Sequence, residues 1–212
     1  MTDTKVIGLT GPYCAGKNYV SLILEQLSFP VLDVDKLGHE IIEKEKDRLV
    51  MRFGEDILSP EGLVDRKRLG NKVFGRPKEL TALEEIIHPG VNRETLEWIN
   101  ERKEKMCFIN AALLHRSSAF EVLDAIILVE APIFVRMLRA RNRDHLPWIS
   151  IIKRFWSQRK FSSQLSVKKT DIYKVSNSSG CANSGHFESR KLSSRNKLEK
   201  RINEIIGGVR KA

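Results

Sequence analysis

The stretch best suited to chemistry lies near the N-terminus, where residues 11–18 read GPYCAGKN. Gly11 and Gly16 have the spacing at which backbone N–H groups can approach phosphate oxygens without an intervening Cβ. Lys17 would place an ammonium group on the phosphates, and the helix that follows would direct its positive end toward them. The alternative is a strand-to-helix turn that uses glycine only for its geometry.

Asn18 stands where this kind of loop usually carries a Ser or Thr hydroxyl. That hydroxyl supplies an oxygen to Mg²⁺, which prefers octahedral oxygen ligands. The Asn18 amide oxygen could ligate the metal with a different reach, or water could fill the position, and we expect Asn18→Ser to leave activity at least equal. Pro12, Tyr13 and Cys14 replace the small residues usual in such loops. Cys14, at the positive end of a helix, could have thiolate character or be only a small loop residue.

Two carboxylates lie at the end of the second predicted strand, VLDV at residues 31–34. Ligands of open α/β sheets bind at the carboxyl ends of the strands. A carboxylate there can align an acceptor hydroxyl, accept its proton or hold Mg²⁺ through water. Asp33 and Asp35 are therefore candidate site residues, with helix capping or a turn as the alternative.

The elements that must position these residues predict an α/β fold with a parallel sheet. KVIGL at residues 5–9 is a β-branched run that leads into the glycines, and a helical pattern follows it to about Ser28, before Pro30. Three later segments predict further strands, MCFINAALL at 106–114, AIILV at 125–129 and DIYKVS at 171–176.

Helical patterns occupy most of the remaining chain. Residues 36–105 are too long for a simple crossover and predict a helical insertion with a turn at SPEGLVD. Further helices are predicted at 132–144, with Pro132 in the first turn, at 148–165, and in the closing segment SRNKLEKRINEII. The Ser/Gly/Asn run SNSSGCANSG predicts a loop.

The net charge of +10 is unevenly distributed along the 212 residues. Residues 1–131 hold 18 Lys/Arg and 22 Asp/Glu, whereas residues 132–212 hold 19 and 5, so that the two parts carry −4 and +14. Such a basic block is typical of proteins that bind nucleic acid, an anionic membrane or a polyphosphate, and a solvated helical face is the alternative.

Four stretches, taken in order, resemble the dephospho-coenzyme A kinases, a family of P-loop kinases. They are VIGLTGPYCAGKN, VLDVDKLGHE, GLVDRKRLGNKVFGRPKELTALEEIIHPGV and DAIILVEAPIFVRMLRARNRD. The third is the most specific, because its Gly-x-x-Asp-Arg-x-x-Leu … His-Pro order is not a general kinase feature. The resemblance extends from Lys5 to about Asp144.

The resemblance implies a P-loop kinase fold, an α/β fold with a five-stranded parallel sheet flanked by helices, a helical substrate-domain insertion and a lid. The implied nucleotide-binding core comprises residues 1–35, 106–145 and 170–212. Residues 36–105 correspond to the helical substrate (CoA) domain and residues 146–169 to the lid.

The implied reaction is transfer of the γ-phosphoryl group of ATP, with Mg²⁺, to the ribose 3′-hydroxyl of dephospho-CoA. The residues that match catalytic positions are Asp35, Lys17 and Arg139. Those that match ATP and phosphate positions are Gly11, Pro12, Tyr13, Cys14, Ala15, Gly16, Lys17, Asn18, Arg143 and Asn177, the last near the adenine. Those that match the substrate side are Asp33, Asp65, Arg66 and His88, and capping of a helix after Pro89 is the alternative for His88. The metal candidates are Asn18 and, through water, Asp35.

The chain departs from the family pattern at two further places. Arg116 replaces a common glutamate, and Thr170-Asp171 replaces an Ala-Asp pair. The lid segment keeps Arg154 and Gln158, and its basic residues would face phosphates. Its aromatic side chains could stack on bases or pack the lid onto the core, and they are Phe155, Trp156 and Phe161.

Other functions remain open on the sequence alone. They are a different small-molecule P-loop kinase, a nucleotide-binding regulatory protein without turnover, and a nucleic-acid-binding protein, although no groove-reading motif is found. Cys14, Cys107 and Cys181 are odd in number and far apart, which is typical of a reducing compartment. With no secretion signal or membrane-spanning run recognised, we expect a cytoplasmic monomer that binds ATP and dephospho-CoA but neither nucleic acid nor membrane.

Overall fold

A parallel sheet carries the carboxyl-edge residues predicted from the sequence. The computed structural model describes residues 4–114, 117–145, 147–157, 170–178 and 187–210. The strands in this part are β1 Lys5–Thr10, β2 Val31–Asp33, β3 Met106–Asn110, β4 Ala125–Glu130 and β5 Asp171–Ser176. They pair in the order β2-β3-β1-β4-β5, and every pairing is parallel, so the predicted five-stranded parallel sheet is confirmed.

Helices cover the sheet and fill the long segment between β2 and β3. They are α1 Lys17–Gln26, α2 Val34–Lys44, α3 Lys46–Phe53, α4 Arg66–Val73, α5 Pro77–Asn100, α6 Ile133–Asp144, α7 Trp148–Ser157 and α8 Phe187–Val209. In the residues that the structure describes, no helix combines the length and apolarity needed to cross a membrane.

The sheet is buried on both faces, as its nearly continuous apolar strands predict. On one face Ile7 and Leu9 of β1 pack against α1 and against α8, which contributes Ile202. On the other face Val6 packs with the end of α5 and with a 3₁₀ helix at Ser118–Val122. Because the faces are filled by apolar side chains, polar side chains of the sheet can meet a ligand at its edges.

The helices from α2 to α5 have an apolar cluster of their own. Leu49 and Phe53 of α3 pack with Leu69 and Val73 of α4. A second cluster joins α2 to α5, and α2 begins at Val34, two residues before the predicted boundary. The division of the chain into core, substrate domain and lid stays a prediction.

Two boundary predictions in this region are wrong. The strand predicted at 31–34 ends at Asp33, whose carboxylate accepts the N–H groups of Asp35 and Lys36 and so caps α2. The helix that the alternative for His88 placed after Pro89 instead begins at Pro77 and runs through Pro89, and Gly90 is buried in close contact with Ile41 of α2. His88 therefore caps no helix.

Two later elements are shorter than predicted, whereas β4 and α8 extend beyond their predicted segments. The strand predicted at 106–114 ends at Asn110, where the chain turns, and Pro132 is the N-cap of α6 rather than part of its first turn. The α7 prediction extended to residue 165, which is outside the described residues. Also outside them are Arg116, Gln158, Phe161, Cys181 and most of the Ser/Gly/Asn run.

Candidate active site

The loop predicted to bind phosphate lies between β1 and α1, at the carboxyl edge of the sheet. Gly11 lies so close to β4 that a Cβ would stand 2.5 Å from the carbonyl oxygen of Val129. Gly16 is the N-cap of α1, and its φ of 96° is a left-handed conformation that favours glycine. Cys14 also has a positive φ, of 59°. The tight path of the loop thus depends on glycine at two positions.

Two arginines of α6 hold the loop through its carbonyl oxygens. Arg136 donates from Nε to the carbonyl of Tyr13 at 2.8 Å. Arg139 donates from Nη1 to the carbonyls of Cys14 and Ala15 at 3.2 and 3.0 Å. In a trans peptide unit the N–H points opposite to the C=O, so the N–H groups of these units point away from the arginines. The N–H of Ala15 donates to the carbonyl of Pro12 at 2.9 Å, whereas those of Cys14 and Gly16 can face an anion. Arg136 was missed in the sequence, although its spacing of three from Arg139 places both on one helix face.

Asn177 follows β5 and is buried beneath the same loop, with 3% of its surface exposed. Its Nδ2 donates to the carbonyl of Ala15 at 3.1 Å, and its own carbonyl accepts from Nη2 of Arg139 at 3.0 Å. These contacts indicate support of the loop. Contact with the adenine stays a prediction.

A cavity of about 710 Å³ lies in front of the loop. Most of the residues predicted to bind ATP line it, together with two that were not predicted. The lining is Gly11, Pro12, Tyr13, Cys14, Ala15, Gly16, Lys17, Asn18, Asp35, Ala112, Arg139, Asn142 and Arg143. We refer to this space as the loop cavity.

Lys17 and Asp35, both predicted to be catalytic, form an ion pair inside the loop cavity. The Lys17 Nζ lies 2.7 Å from Oδ2 of Asp35. The lysine side chain is 15% exposed and the aspartate 46%, so the carboxylate is the more accessible partner. The other oxygen of Asp35 accepts the N–H of Ala112 at 3.3 Å. Asp33 is the N-cap of α2, the helix that carries Asp35, so helix capping accounts for the contacts of the Asp33 carboxylate.

Asn110 also reaches this ion pair, and sequence reasoning missed it. It is the last residue of β3 and is fully buried. Its Oδ1 accepts from Lys17 Nζ at 3.2 Å, and its Nδ2 donates to Oδ1 of Asn18 at 3.4 Å. Asn18 Oδ1 accepts from Lys17 Nζ as well, at 3.1 Å. The feature of the sequence that could have indicated Asn110 is a polar residue at the end of an apolar strand.

Tyr13 connects the loop to the end of α6 and to α7. Its hydroxyl donates to the Asp144 carboxylate, which also accepts from Arg143 Nε at 2.7 Å and Arg154 Nη1 at 3.2 Å. Its ring lies edge-on to Phe155, with 5.6 Å between the centroids. The Arg143 hydrogen bond lowers the pKa of Asp144, whereas burial raises the pKa of Tyr13 and keeps its hydroxyl a donor.

Cys14 does not have the thiolate character that the sequence allowed. Burial raises the pKa of its thiol and outweighs the opposing effect of the nearby Arg143 and Arg136. A partly buried thiol whose pKa is raised is protonated at neutral pH. The shift is opposite in direction to the one expected from the positive end of a helix.

A second cavity, of about 270 Å³, lies on the other side of Asp35 between α2 and α5. Asp35 lines both cavities. His39 of α2 and His88 of α5 face into the second one beside apolar residues such as Ile42. We refer to this space as the helical cavity.

Arg66 and Asp65 lie at the start of α4. Arg66 Nη1 lies 2.9 Å from Nδ1 of His39, which brings it to the margin of the helical cavity. Asp65 caps α4 by accepting the N–H groups of Lys67 and Arg68 at 2.8 and 3.1 Å. The structure therefore brings His88 and Arg66 toward one space, whereas the contacts of Asp65 are those of a helix cap.

The arrangement of sheet and site defines a class of protein. A glycine loop with a lysine joins the first strand to the first helix, and a carboxylate follows β2, which β3 separates from β1, at the same edge of the sheet. On a parallel sheet of order β2-β3-β1-β4-β5, this is the arrangement of P-loop kinases that act on small molecules.

Comparison with known proteins identifies the family. The family model described as dephospho-CoA kinase matches residues 5–182. A dephospho-CoA kinase of Halalkalibacterium halodurans is 31% identical over 165 residues, which are 75% of this chain and 82% of that protein. The structure of dephospho-CoA kinase from Campylobacter jejuni is 25% identical, with a TM-score of 0.61, covering 96% of this chain and 98% of that one. This chain belongs to the dephospho-CoA kinase family and is a kinase.

A more distant structure supports the fold alone. The shikimate kinase of Bacteroides thetaiotaomicron is 14% identical, with a TM-score of 0.50, and the match covers 96% of this chain and 98% of that one. The P-loop kinase fold predicted from the sequence is confirmed.

Proposed function

We propose that this protein transfers the γ-phosphoryl group of ATP to the ribose 3′-hydroxyl of dephospho-CoA, giving coenzyme A. The observation that carries the proposal is the position of Asp35, which lines both the loop cavity and the helical cavity. A phosphoryl donor in one cavity and an acceptor hydroxyl in the other would meet at this carboxylate. Family membership supports the same acceptor.

On the donor side, the loop and its cations would bind the triphosphate. Loop N–H groups would contact phosphate oxygens, and Lys17 would neutralise charge on the group being transferred. Arg139 would do so from the loop side, where its guanidinium already lines the cavity. Arg143 lines the same cavity and is proposed as a further phosphate contact. Catalysis by such groups consists of positioning and charge stabilisation rather than covalent chemistry.

On the acceptor side, Asp35 would orient the ribose hydroxyl and accept its proton. Its carboxylate is held by Lys17 and by the N–H of Ala112, so its oxygens have a defined direction. His39 and His88 in the helical cavity offer imidazole groups for polar parts of the acceptor, and Arg66 offers a cation beside them. An acceptor with an adenosine group and phosphates suits this combination of apolar, imidazole and cationic groups.

Mg²⁺ is part of the proposal. In the described residues no cluster of three or more His, Cys, Asp or Glu is suited to hold a metal ion. Mg²⁺ with nucleotides is commonly held by one or two carboxylates, substrate phosphates and waters, so Asp35 acting through water fits that role. Asn18 fits less well, because its Oδ1 already accepts hydrogen bonds from Lys17 and Asn110. When bound, the ion would neutralise phosphate charge.

The test is formation of coenzyme A from dephospho-CoA by purified protein with ATP and Mg²⁺. We expect Lys17→Ala to lower kcat/KM by about 10²–10³-fold, as loss of a transition-state contact does. We expect Asp35→Asn to lower it by about 10²–10⁴-fold, the usual contribution of a general base. Lys36→Ala and Glu40→Gln change exposed side chains of α2 and serve as matched controls.

Three outcomes would contradict the proposal. Transfer to another hydroxyl compound, in a panel that includes dephospho-CoA, would assign a different acceptor. ATP binding measured by calorimetry without transfer to any acceptor would assign a regulatory role. Wild-type turnover no higher than that of Lys17→Ala would also refute the assigned site.

We further propose that the protein acts in the cytoplasm as a monomer. Cys14 and Cys107 are free thiols, which is usual in a reducing compartment. Size-exclusion chromatography with light scattering tests the monomer, and a dimer mass would refute it.

A further inference from the structure

A buried amide lies at the centre of the candidate active site without a role in the proposed mechanism. Asn110 ends β3, the strand between β1 and β2, and in register it lies beside Leu9 and Asp33. It is therefore between the strand that leads into the phosphate loop and the strand that leads to Asp35. Its side chain is fully buried, and a buried amide needs hydrogen-bond partners.

The partners of Asn110 belong to the phosphate loop. Its Oδ1 accepts from the Lys17 ammonium at 3.2 Å, and its Nδ2 donates to Asn18 Oδ1 at 3.4 Å. Asn18 Oδ1 in turn accepts from Lys17 at 3.1 Å. The ammonium of Lys17 thus lies among two amide oxygens and the Asp35 carboxylate, 2.7 Å away.

The backbone around Asn110 fixes where its amide can point. The N–H of Ala111 donates to the carbonyl of Leu9 at 3.1 Å, and the buried hydroxyl of Thr10 donates to the carbonyl of Ala111 at 2.8 Å. Both bonds tie the end of β3 to the end of β1. A side chain on this fixed backbone can hold a flexible lysine in one place.

We propose that Asn110 is a positioning residue that holds the Lys17 ammonium for phosphate contact, and that Asn18 completes this support as its hydrogen-bond partner. The proposal rests on the proposed function, because it assigns Lys17 to the phosphates. It gives Asn18 a role that needs no metal. It also reverses the expectation from the motif for Asn18→Ser, because a serine hydroxyl lacks the reach of the amide toward Asn110.

The test is a double-mutant cycle between Asn110 and Lys17, measured as ATP affinity by calorimetry without an acceptor. Asn110→Leu has a similar volume but no polar atom, and we expect it to weaken ATP binding about 10-fold in the wild-type background. In the Lys17→Ala background it should change affinity by less than about 2-fold, because the side chain that it positions is gone. An equal loss in both backgrounds would overturn the proposal.

Rescue by a conservative variant separates positioning from a merely structural role. Asn110→Gln keeps both the amide oxygen for Lys17 and the amide N–H for Asn18 without adding charge, so its ATP affinity should exceed that of Asn110→Leu by at least about 3-fold. Asn110→Ser, whose hydroxyl is too short to reach Lys17, should lose as much affinity as Asn110→Leu. If Asn110→Leu does not fold, Asn110→Ser replaces it in the double-mutant cycle. If Asn110→Ser binds ATP with the affinity of the wild-type protein, the proposal is overturned.

The Asn18 part is tested by turnover. Asn18→Ser should lower kcat about 5-fold with KM for dephospho-CoA unchanged, and should add nothing to Asn110→Leu. If the losses of kcat caused by Asn18→Ser and Asn110→Leu multiply in the double variant, the pairing of these two side chains is refuted. The double-mutant cycle measures ATP affinity and needs no acceptor. A failure to form coenzyme A would therefore refute the proposed function, whereas the cycle would still test the positioning role of Asn110.

Discussion

Substitution of Gly16 tests how closely the phosphate loop depends on its support from β5. Gly16 has a φ of 96°, and a Cβ there would stand 2.1 Å from Nδ2 of Asn177. That amide cannot move away cheaply, because it is buried and donates to the carbonyl of Ala15 at 3.1 Å. Gly16→Ala must therefore both strain the backbone and displace the Asn177 amide.

The two effects give an expected magnitude. A left-handed backbone costs an L-residue about 1–2 kcal/mol, and loss of one hydrogen bond costs about 1 kcal/mol. The expected loss of unfolding free energy is therefore about 2–3 kcal/mol. For a chain of this size, that lowers Tm by about 4–12 °C, measured by calorimetry or circular dichroism. ATP affinity should fall as well, since the loop N–H groups move.

The control for this prediction is the same chemical change at a glycine with space around it. Gly207 lies in α8, and a Cβ added there would meet no neighbouring side chain within 4 Å, so Gly207→Ala should raise stability by about 0.5–1 kcal/mol. In an Asn177→Ala background, Gly16→Ala should keep only the backbone part of its effect, because the amide that the Cβ would displace is gone. A Gly16→Ala protein as stable as wild type would refute the reasoning.

Three further predictions concern the surroundings of the loop. The pKa of Asp144 is lowered in the folded protein, chiefly by Arg143, so its stabilisation is present above the ordinary carboxyl pKa and is lost as pH falls through the lowered value. Urea unfolding of Asp144→Asn should accordingly show a deficit of about 1–3 kcal/mol at pH 7 that shrinks as the pH falls below the ordinary carboxyl pKa, and a deficit independent of pH would contradict this. Tyr13→Phe removes the hydroxyl that donates to Asp144 and should cost about 1 kcal/mol in the same assay, whereas no change would show that this hydrogen bond is not formed in solution. Gly11→Ala should cost about 1–3 kcal/mol, because its Cβ would meet the backbone of Val129, and stability equal to wild type would refute that contact.

Much of the fold could be predicted because its signals are local. Apolar β-branched runs marked the buried strands, and the order of strand, glycine loop and helix marked the phosphate loop. The errors arose where a side chain or packing decided a boundary. Asp33 ended its strand early by capping α2, and Pro89 remained inside a helix because burial of that helix against α2 outweighed the missing N–H.

The candidate site was predicted less completely than the fold. Lys17 and Asp35 could be found because each lies beside a recognisable turn or strand end. Asn110 could not, because its importance comes from the meeting of β3 with the phosphate loop across 93 residues of sequence. Burial also changed one expectation, since it raises the pKa of the Cys14 thiol, whereas the sequence allowed thiolate character there.

The basic character of the second half of the chain has a local explanation in α6. Arg136 and Arg139 face the phosphate loop and satisfy its carbonyl oxygens, and Arg143 lines the loop cavity on the same helix. With the carbonyls held by these cations, the N–H groups of Cys14 and Gly16 can face an anion, and the guanidiniums add positive potential to the same space. Asp144 offsets part of that charge through Arg143 and Arg154. The charge asymmetry read from the sequence therefore fits a polyphosphate ligand better than an extended polyanion.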